Sequence, residues 1–549
     1  MNRETNIDPI LALDKQIAER VEDIIQLRRT RNSLLNIACV PPEILGYIFY
    51  LSVVPAIPWD GDDRFAGIQK GSYNFLLVCH HCFEVACHTP ELWSSWGNRL
   101  KEWKRRYLRS GTSPLDLVLD GGEYQAETLD KTLQDALIDR VAHDAIRKVH
   151  LRSRDADLIT SILSSLTPEE EGIRSSSIES IFLDGIDVFN FFTRRRFPKL
   201  RGLSLCECAN LPWDHLGAHT RALVDLSLCD DAVSSTSTLI TLAPTTSIPT
   251  TSQILSLLAS NPDIRTLTLQ LLVSDDDSRY DPSYRAPLPH LESFSLTGSI
   301  HHIFPILQRL EFPNTVDYAR LILHDSTLDV VRQVVGPYIR DYLQRDARFG
   351  DDLAIFISPG VSPVSIYATV RGVGNFRSDE VPDYKLPCAI FTMRLPQHTS
   401  RQEVDKLCID ILAFLPQERV VYLETGLPTG VMEELLITMP NIEVLRLVGA
   451  VMFDWFLLPN PDGPNAHKKL LPSLRWLHLE DVETEDNDWD PLVSYLTYQT
   501  SGDHPVSLSV FGEGLHICWE VTEQIRDLVD VFHYYPDPDK GCPFDYCSG

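Results

Sequence analysis

Apolar residues at the start of the chain recur at helical intervals. Ile10, Ile17, Val21 and Ile24 stand seven, four and three residues apart, with Leu35 further along, among charged neighbours such as Lys15, Glu19, Glu22 and Arg28. That stripe predicts an amphipathic helix. Arg28 and Arg31 fall on the same seam and the pattern covers fewer than four heptads, so the spacing favours a helix docked on its own chain over a coiled coil. A second helix is expected from Pro41-Pro42, with Glu43 in its first turn, to about Ser52. Its apolar residues Ile44, Leu45, Ile48, Phe49 and Leu51 cover more than one stripe, so a single neighbour cannot bury them all. After a polar stretch over 59–73, a further helix is expected from Phe75 to Cys87, with Leu77, Val78, Cys82, Val85 and Ala86 at helical spacing. Thr89-Pro90 then breaks it, and Leu92-Trp93 forms an apolar plug. A unit of about 55 residues has a marginal core and is expected to bury its excess face against something else.

From about residue 110 the rhythm changes. Apolar, two residues, apolar, one residue, apolar occurs at Ile146-Val149-Leu151, Ile178-Ile181-Leu183, Leu200-Leu203-Leu205, Leu223-Leu226-Leu228, Ile264-Leu267-Leu269, Leu291-Phe294-Leu296, Tyr318-Leu321-Leu323, Ile442-Leu445-Leu447 and Leu474-Leu477-Leu479. In five copies a proline stands two residues before the first apolar position: Pro198, Pro262, Pro289, Pro440 and Pro472. There it ends one element before a strand begins. Stretches such as Ile254-Leu255-Leu257-Leu258 and Met432-Leu435-Leu436 supply helices, and strand-like runs at 353–357, 388–393 and 420–423 fill the longest gap. One strand-plus-helix unit cannot cover its own apolar face, so units stack and expose a row of short parallel strands. The pattern resembles irregular leucine-rich repeats. Residues between the leucines then point outward, which makes Ser204, Ser227, Thr268, Ser295, Arg446 and His478 candidate target-binding positions. The Ser/Thr-rich loop 234–252 and the acidic loop 480–490, with seven carboxylates in eleven residues, read as solvated linkers.

Composition narrows the partners. With 44% hydrophobic and 23% charged residues, the chain of 549 residues is that of a globular protein. Lys plus Arg number 49 against 77 Asp plus Glu, a net charge of −28, so neither nucleic acid nor an anionic membrane is an expected partner. The basic run Arg99, Lys101, Lys104, Arg105, Arg106 and Arg109, interleaved with Trp103 and Tyr107, is therefore read as an amphipathic connector. No secretory leader is evident over 1–14, the longest uncharged run (44–59) is too short to span a membrane, and 12 cysteines occur without a framework spacing or an Asn-x-Ser/Thr sequon. An intracellular place, cytoplasm or nucleus, is expected.

Candidate chemistry is sparse. The sequence contains no phosphate-binding loop, no His-Glu-x-x-His and no Gly-x-Ser-x-Gly, so no catalytic residue and no cofactor is assigned. Cys79-His80-His81-Cys82 with Cys87-His88 holds six possible zinc ligands in ten residues. On one continuous helix the two groups stand too far apart to close a tetrahedron, so no metal site is expected.

Val40-Pro41-Pro42-Glu43-Ile44-Leu45, Ile48-Phe49, Leu77-Val78-Cys79-His80-His81, Ala86, Thr89-Pro90 and Leu92-Trp93 together resemble the F-box in order and spacing, in the form abundant in fungal F-box families. Tyr107-Leu108-Arg109-Ser110-Gly111 with Pro114-Leu115 extends the resemblance. Where that family usually carries a basic pair and Trp, this chain has His80-His81-Cys82. The resemblance implies an α/β protein with an N-terminal α-helical F-box head followed by an irregular leucine-rich-repeat solenoid. The segments are an N-terminal helix over 1–37, the head over 38–98, the connector over 99–112, the repeats over 113–534 and a frayed tail over 535–549. It further implies a non-catalytic substrate receptor of a Skp–cullin–F-box ubiquitin ligase. A Skp-type adaptor, and through it cullin, would bind at Pro41, Pro42, Glu43, Ile44, Leu45, Ile48, Phe49, Leu77, Val78, His81, Leu92 and Trp93, and an unspecified protein target at the repeats. The alternative is a leucine-rich-repeat scaffold outside any ligase.

Overall fold

A computed structural model describes residues 7–53, 74–96, 103–121, 135, 145–153, 156–166, 174–208, 210–229, 248–270, 273, 284–313, 316–324, 336–338, 340, 353–359, 365–372, 388–394, 401–426, 436–448, 471–480, 489–500, 506–512, 517 and 519–536. The chain is mixed α/β, with a helical amino-terminal region and mostly parallel strands. It divides into two compact units, residues 1–223 with 239–247 and residues 224–238 with 248–549. Among the described residues no helix is long and apolar enough to cross a membrane.

The first unit opens with a helix of 27 residues, Ile7–Ser33. Its stripe is not covered by other described residues, whereas the docking expected from its spacing requires such cover. Ile10, Ile17, Val21 and Ile24 are all at least half exposed, at 60%, 59%, 50% and 51%. A narrow apolar stripe can remain in water when polar pairs support the helix around it. Here Gln26 donates to Glu22 at 2.8 Å and Arg20 stands 3.7 Å from Asp23.

The head follows as helix Pro42–Val53, a 3₁₀ turn Asn74–Leu77, helix His80–Cys87 and a 3₁₀ turn Pro90–Trp93. Leu45, Phe49, Cys82, Val85, Ala86, Leu92 and Trp93 form its buried core. Two details fix the packing. A Cβ on Gly46 would stand 2.6 Å from Thr89 Oγ1, and that hydroxyl is itself held by donating to the Val85 carbonyl at 2.8 Å. The Trp93 indole N–H donates to the Ala86 carbonyl at 2.7 Å, giving the buried ring its polar partner. The single helix expected over 75–87 is broken at Cys79. Its backbone is extended and its side chain caps the next helix by accepting the N–H of Cys82. Satisfying an orphan donor at the helix start displaces the continuous helix that apolar spacing suggests.

The connector carries helix Trp103–Ser110, whose Arg109 guanidinium lies 4.4 Å from the centre of the Trp93 ring. Strands Ser95–Trp96, Leu115–Gly121, Ile146–Ser153, Ser180–Asp184 and Gly202–Cys206 then pair in that order, all parallel.

In the second unit the strands Asp225–Cys229, Thr266–Gln270, Ser293–Ser299 and Tyr318–His324 run parallel and adjacent. So do Val420–Thr425, Val444–Val448, Trp476–Glu480, Ser507–Gly512 and Phe532–Pro536. All nine patterned copies carry a strand, and their last two apolar residues are no more than 3% exposed. The helix Thr251–Ala259 begins with a complete capping box between Thr250 and Gln253. The last strand reaches Pro536, paired through Tyr535 with Phe511. The expected tail over 535–549 thus gives up Tyr535 and Pro536 to this strand. The expected linkers 234–252 and 480–490 give up Thr251 and Ser252 to a helix, Glu480 to a strand and Asp490 to a helix. Residues 537–549, 234–247 and 481–488 lie outside the described residues.

The middle of this unit departs from a simple succession of parallel strands. Tyr318–His324 pairs with Cys388–Arg394, which pairs with Ser365–Gly372, which pairs with Leu353–Pro359, and this last strand pairs with Val420–Thr425. The order of the three is reversed, and Ser365–Gly372 runs antiparallel to both neighbours. Connection length explains the antiparallel pairing of Leu353–Pro359 with Ser365–Gly372. Only residues 360–364 separate Pro359 from Ser365, whereas a parallel crossover takes a dozen or more residues. Leu353–Pro359 and Ser365–Gly372 must therefore pair antiparallel, as a hairpin.

Candidate functional site

Helix Pro42–Val53 has two apolar faces. Leu45 and Phe49 turn inward, at 0% and 7% exposed, while Ile44, Tyr47, Ile48 and Leu51 are 54%, 59%, 47% and 56% exposed. Positions 44, 47, 48 and 51 share one side of a helix. Leu77 and Val78 on the neighbouring turn, and Phe83 on the next helix, are also exposed. Of the expected adaptor-binding residues, Pro41, Pro42, Glu43, Ile44, Ile48, Leu77 and Val78 stand in solvent. Leu45, Phe49, Leu92 and Trp93 lie in the core, where they hold the surface in shape from beneath. His81 is half-buried, and its Nε2 has no hydrogen-bond partner among the described residues. Tyr47, Leu51 and Phe83 were missing from the expected site. For Tyr47 and Leu51 the signal was available, since they stand three and seven residues from Ile44.

A polar bridge fixes the head to the first strands. Arg147 donates to both carboxylate oxygens of Asp116, at 2.9 and 2.7 Å, and to the Tyr50 hydroxyl at 3.3 Å. The bidentate geometry suits a guanidinium facing a carboxylate. The Asp116 hydrogen bonds raise the Arg147 pKa further, although burial opposes this.

The outward row of the first unit's strands is Val118, His150, Phe182 and Ser204 by register. His150 stacks on Phe182 at 4.1 Å. Burial, then Arg152, lowers the His150 pKa to about 4. Ser204 is 4% exposed, so this candidate offers little surface.

In the second unit, register aligns Ser227, Thr268, Ser295 and Arg320 in one row, and Glu424, Arg446, His478, Ser509 and His533 in another. Ser227 is buried, while Thr268 and Ser295 are half-buried. Arg446 and His478, in contrast, belong to a built cluster. Arg446 pairs with Glu424 at 3.2 Å and with Glu480, and the Tyr422 hydroxyl donates to Glu424 at 3.1 Å. Trp476 stacks on His478 at 5.6 Å and on His533 at 6.4 Å. Phe511, in register with Glu480, stacks on His478 at 6.5 Å. Burial, then Arg446 and His533, lowers the His478 pKa to about 4, so its ring is neutral near pH 7. Burial, then Glu424, raises the Tyr422 pKa.

Chemically these surfaces offer apolar area on the head and rings with satisfied ion pairs on the strands. Among the described residues no group of three or more His, Cys, Asp or Glu is placed to hold a metal ion. Cys79 and Cys82 do meet, but as a pair. No family model matches the chain, and no curated protein matches it.

Proposed function

We propose that this protein is a non-catalytic substrate receptor of a Skp–cullin–F-box type ubiquitin ligase. The head docks on a Skp-type adaptor through Ile44, Tyr47, Ile48, Leu51, Leu77 and Val78. A protein target binds the strand row of the second unit, around Arg446, Trp476 and His478. The supporting observation is that the head closes its own core and still leaves a whole helix face of large apolar residues in water. Such a face carries a standing cost in solvent that a partner removes, at about 25 cal/mol per Å² buried. The receptor's contribution is proximity: holding a target beside the ubiquitin-charged enzyme turns an encounter between proteins into an intramolecular one.

Affinity capture of the full chain from cells tests this. The native protein is expected to bring down a Skp-type adaptor and cullin, and an Ile44→Asp/Ile48→Asp variant to lose both while keeping its circular dichroism. Capture of neither by the native chain, or of both by the folded variant, contradicts the proposal. Leu45 is kept intact because its removal would open the core.

A further inference from the structure

Neither the fold nor the proposed docking gives Cys79 and Cys82 a role beyond packing and capping. Cys79 caps helix His80–Cys87, and its sulfur accepts the Cys82 N–H at 3.4 Å. The two sulfurs are themselves 3.4 Å apart. A disulfide spans 2.03–2.05 Å, so about 1.4 Å of approach by two side chains joins them. Their access to solvent differs: Cys79 is half-buried, while Cys82 is 2% exposed. Burial, followed by contact with Cys79, pushes the Cys82 thiol up to about 11. One sulfur is thus reachable from outside and the other is held in reserve against it.

We infer that Cys79 and Cys82 form a redox-active dithiol oxidised by low-molecular-weight disulfides, with Cys79 the attacking and Cys82 the resolving thiol. The Cys79 thiolate attacks one sulfur of the disulfide, whose S–S bond breaks as one thiolate leaves. Cys82 gives its proton to solvent, and its sulfur attacks the Cys79 sulfur of the mixed disulfide and displaces the second thiolate. The external disulfide is reduced to two thiols and the protein dithiol is oxidised to a disulfide. Contact between the sulfurs makes the second step intramolecular and fast, so the mixed disulfide does not accumulate. The bond would staple the cap to the first turn of the helix, directly after the exposed Leu77 and Val78. This inference stands whether or not the head docks on an adaptor.

The full-length protein in glutathione/glutathione disulfide buffer, acid-quenched and alkylated, reports the outcome by peptide mass spectrometry. The native peptide holding both residues is expected to lose two hydrogens and carry no glutathione. Cys82→Ser is expected to retain glutathione on Cys79. Cys79→Ser is expected to leave Cys82 with at least tenfold less adduct than that. Exposed Cys39 and half-buried Cys87 are the internal comparisons. Glutathione persisting on Cys79 of the native protein, or native modification at Cys39 and Cys87 without a Cys79–Cys82 bond, overturns the inference. Because the native protein alone decides this, a folding defect in either serine variant does not rescue it.

Discussion

Replacing Asp116 by leucine leaves the Arg147 guanidinium in a place shaped for a carboxylate. The Asp116 side chain is 7% exposed and that of Arg147 is 25% exposed. Losing one member of a buried pair costs about 3–5 kcal/mol. The partial exposure of Arg147 lets water screen the abandoned charge, which places the cost at the lower end, about 3 kcal/mol. At about 1.4 kcal/mol per factor of ten, that is roughly a hundredfold in the local opening equilibrium. Removing both partners, in Asp116→Leu/Arg147→Leu, avoids the uncompensated charge and should recover most of the loss. Tyr50→Phe deletes only the 3.3 Å bond and should cost about 1 kcal/mol. Hydrogen exchange of the amides in Leu115–Gly121 and Ile146–Ser153, measured in the full chain, reads all three variants. Protection within threefold of native in Asp116→Leu would refute the reasoning, as would a double variant as labile as the single one.

Gly46→Ala forces a methyl into the 2.6 Å approach to Thr89 Oγ1 and should destabilise the head by about 1–3 kcal/mol, a cost that Thr89→Ala in the same chain, which removes that hydroxyl, should partly relieve. Equal thermal stability of native and Gly46→Ala protein contradicts that packing. Acidification supplies another test through His150, whose folded pKa of about 4 lies below the ordinary 6.5. The unfolded chain therefore takes up the proton first, and stability falls as pH drops from 6.5 towards 4, by up to about 1.4 kcal/mol per pH unit for this group. His150→Phe should flatten that part of a urea-unfolding pH profile, and an unchanged slope counts against it. In the second unit, Arg446→Met leaves Glu424 and Glu480 side by side without their cation. It should cost about 1–3 kcal/mol in urea unfolding, while Arg446→Lys costs less.

The repeated leucines were readable because burial on one face of a strand imposes a period of two that survives in any sequence. Val149 with Leu151 and Leu477 with Leu479 are instances. The reversed meander was not readable, although its short connection over 360–364 was visible, because a loop length fixes antiparallel pairing and not the outer neighbours of the hairpin. The stripe of Ile10, Ile17, Val21 and Ile24 shows a helix face, but periodicity carries no information about what covers it. The break at Cys79 arises from one side chain accepting one N–H, an effect that apolar spacing does not register. The bridge from Tyr50 to Arg147 spans 97 residues and has no local signature. On the head, helical spacing showed that Ile44, Leu45, Ile48, Phe49 and Leu51 cover more than one stripe, yet separating the inward Leu45 and Phe49 from the outward Ile44 and Ile48 required knowing which neighbours pack there.

The affinity of the full-length chain for a purified Skp-type adaptor, compared with that of Ile44→Asp/Ile48→Asp, tests the docking face most directly. Two half-exposed isoleucines that become fully buried should together contribute about 3 kcal/mol, so the variant should bind roughly a hundredfold more weakly. Its thermal unfolding should match the native protein, since neither side chain belongs to the head's core. A variant that binds within threefold of the native chain, or a native chain that shows no affinity, would contradict the assignment of this face.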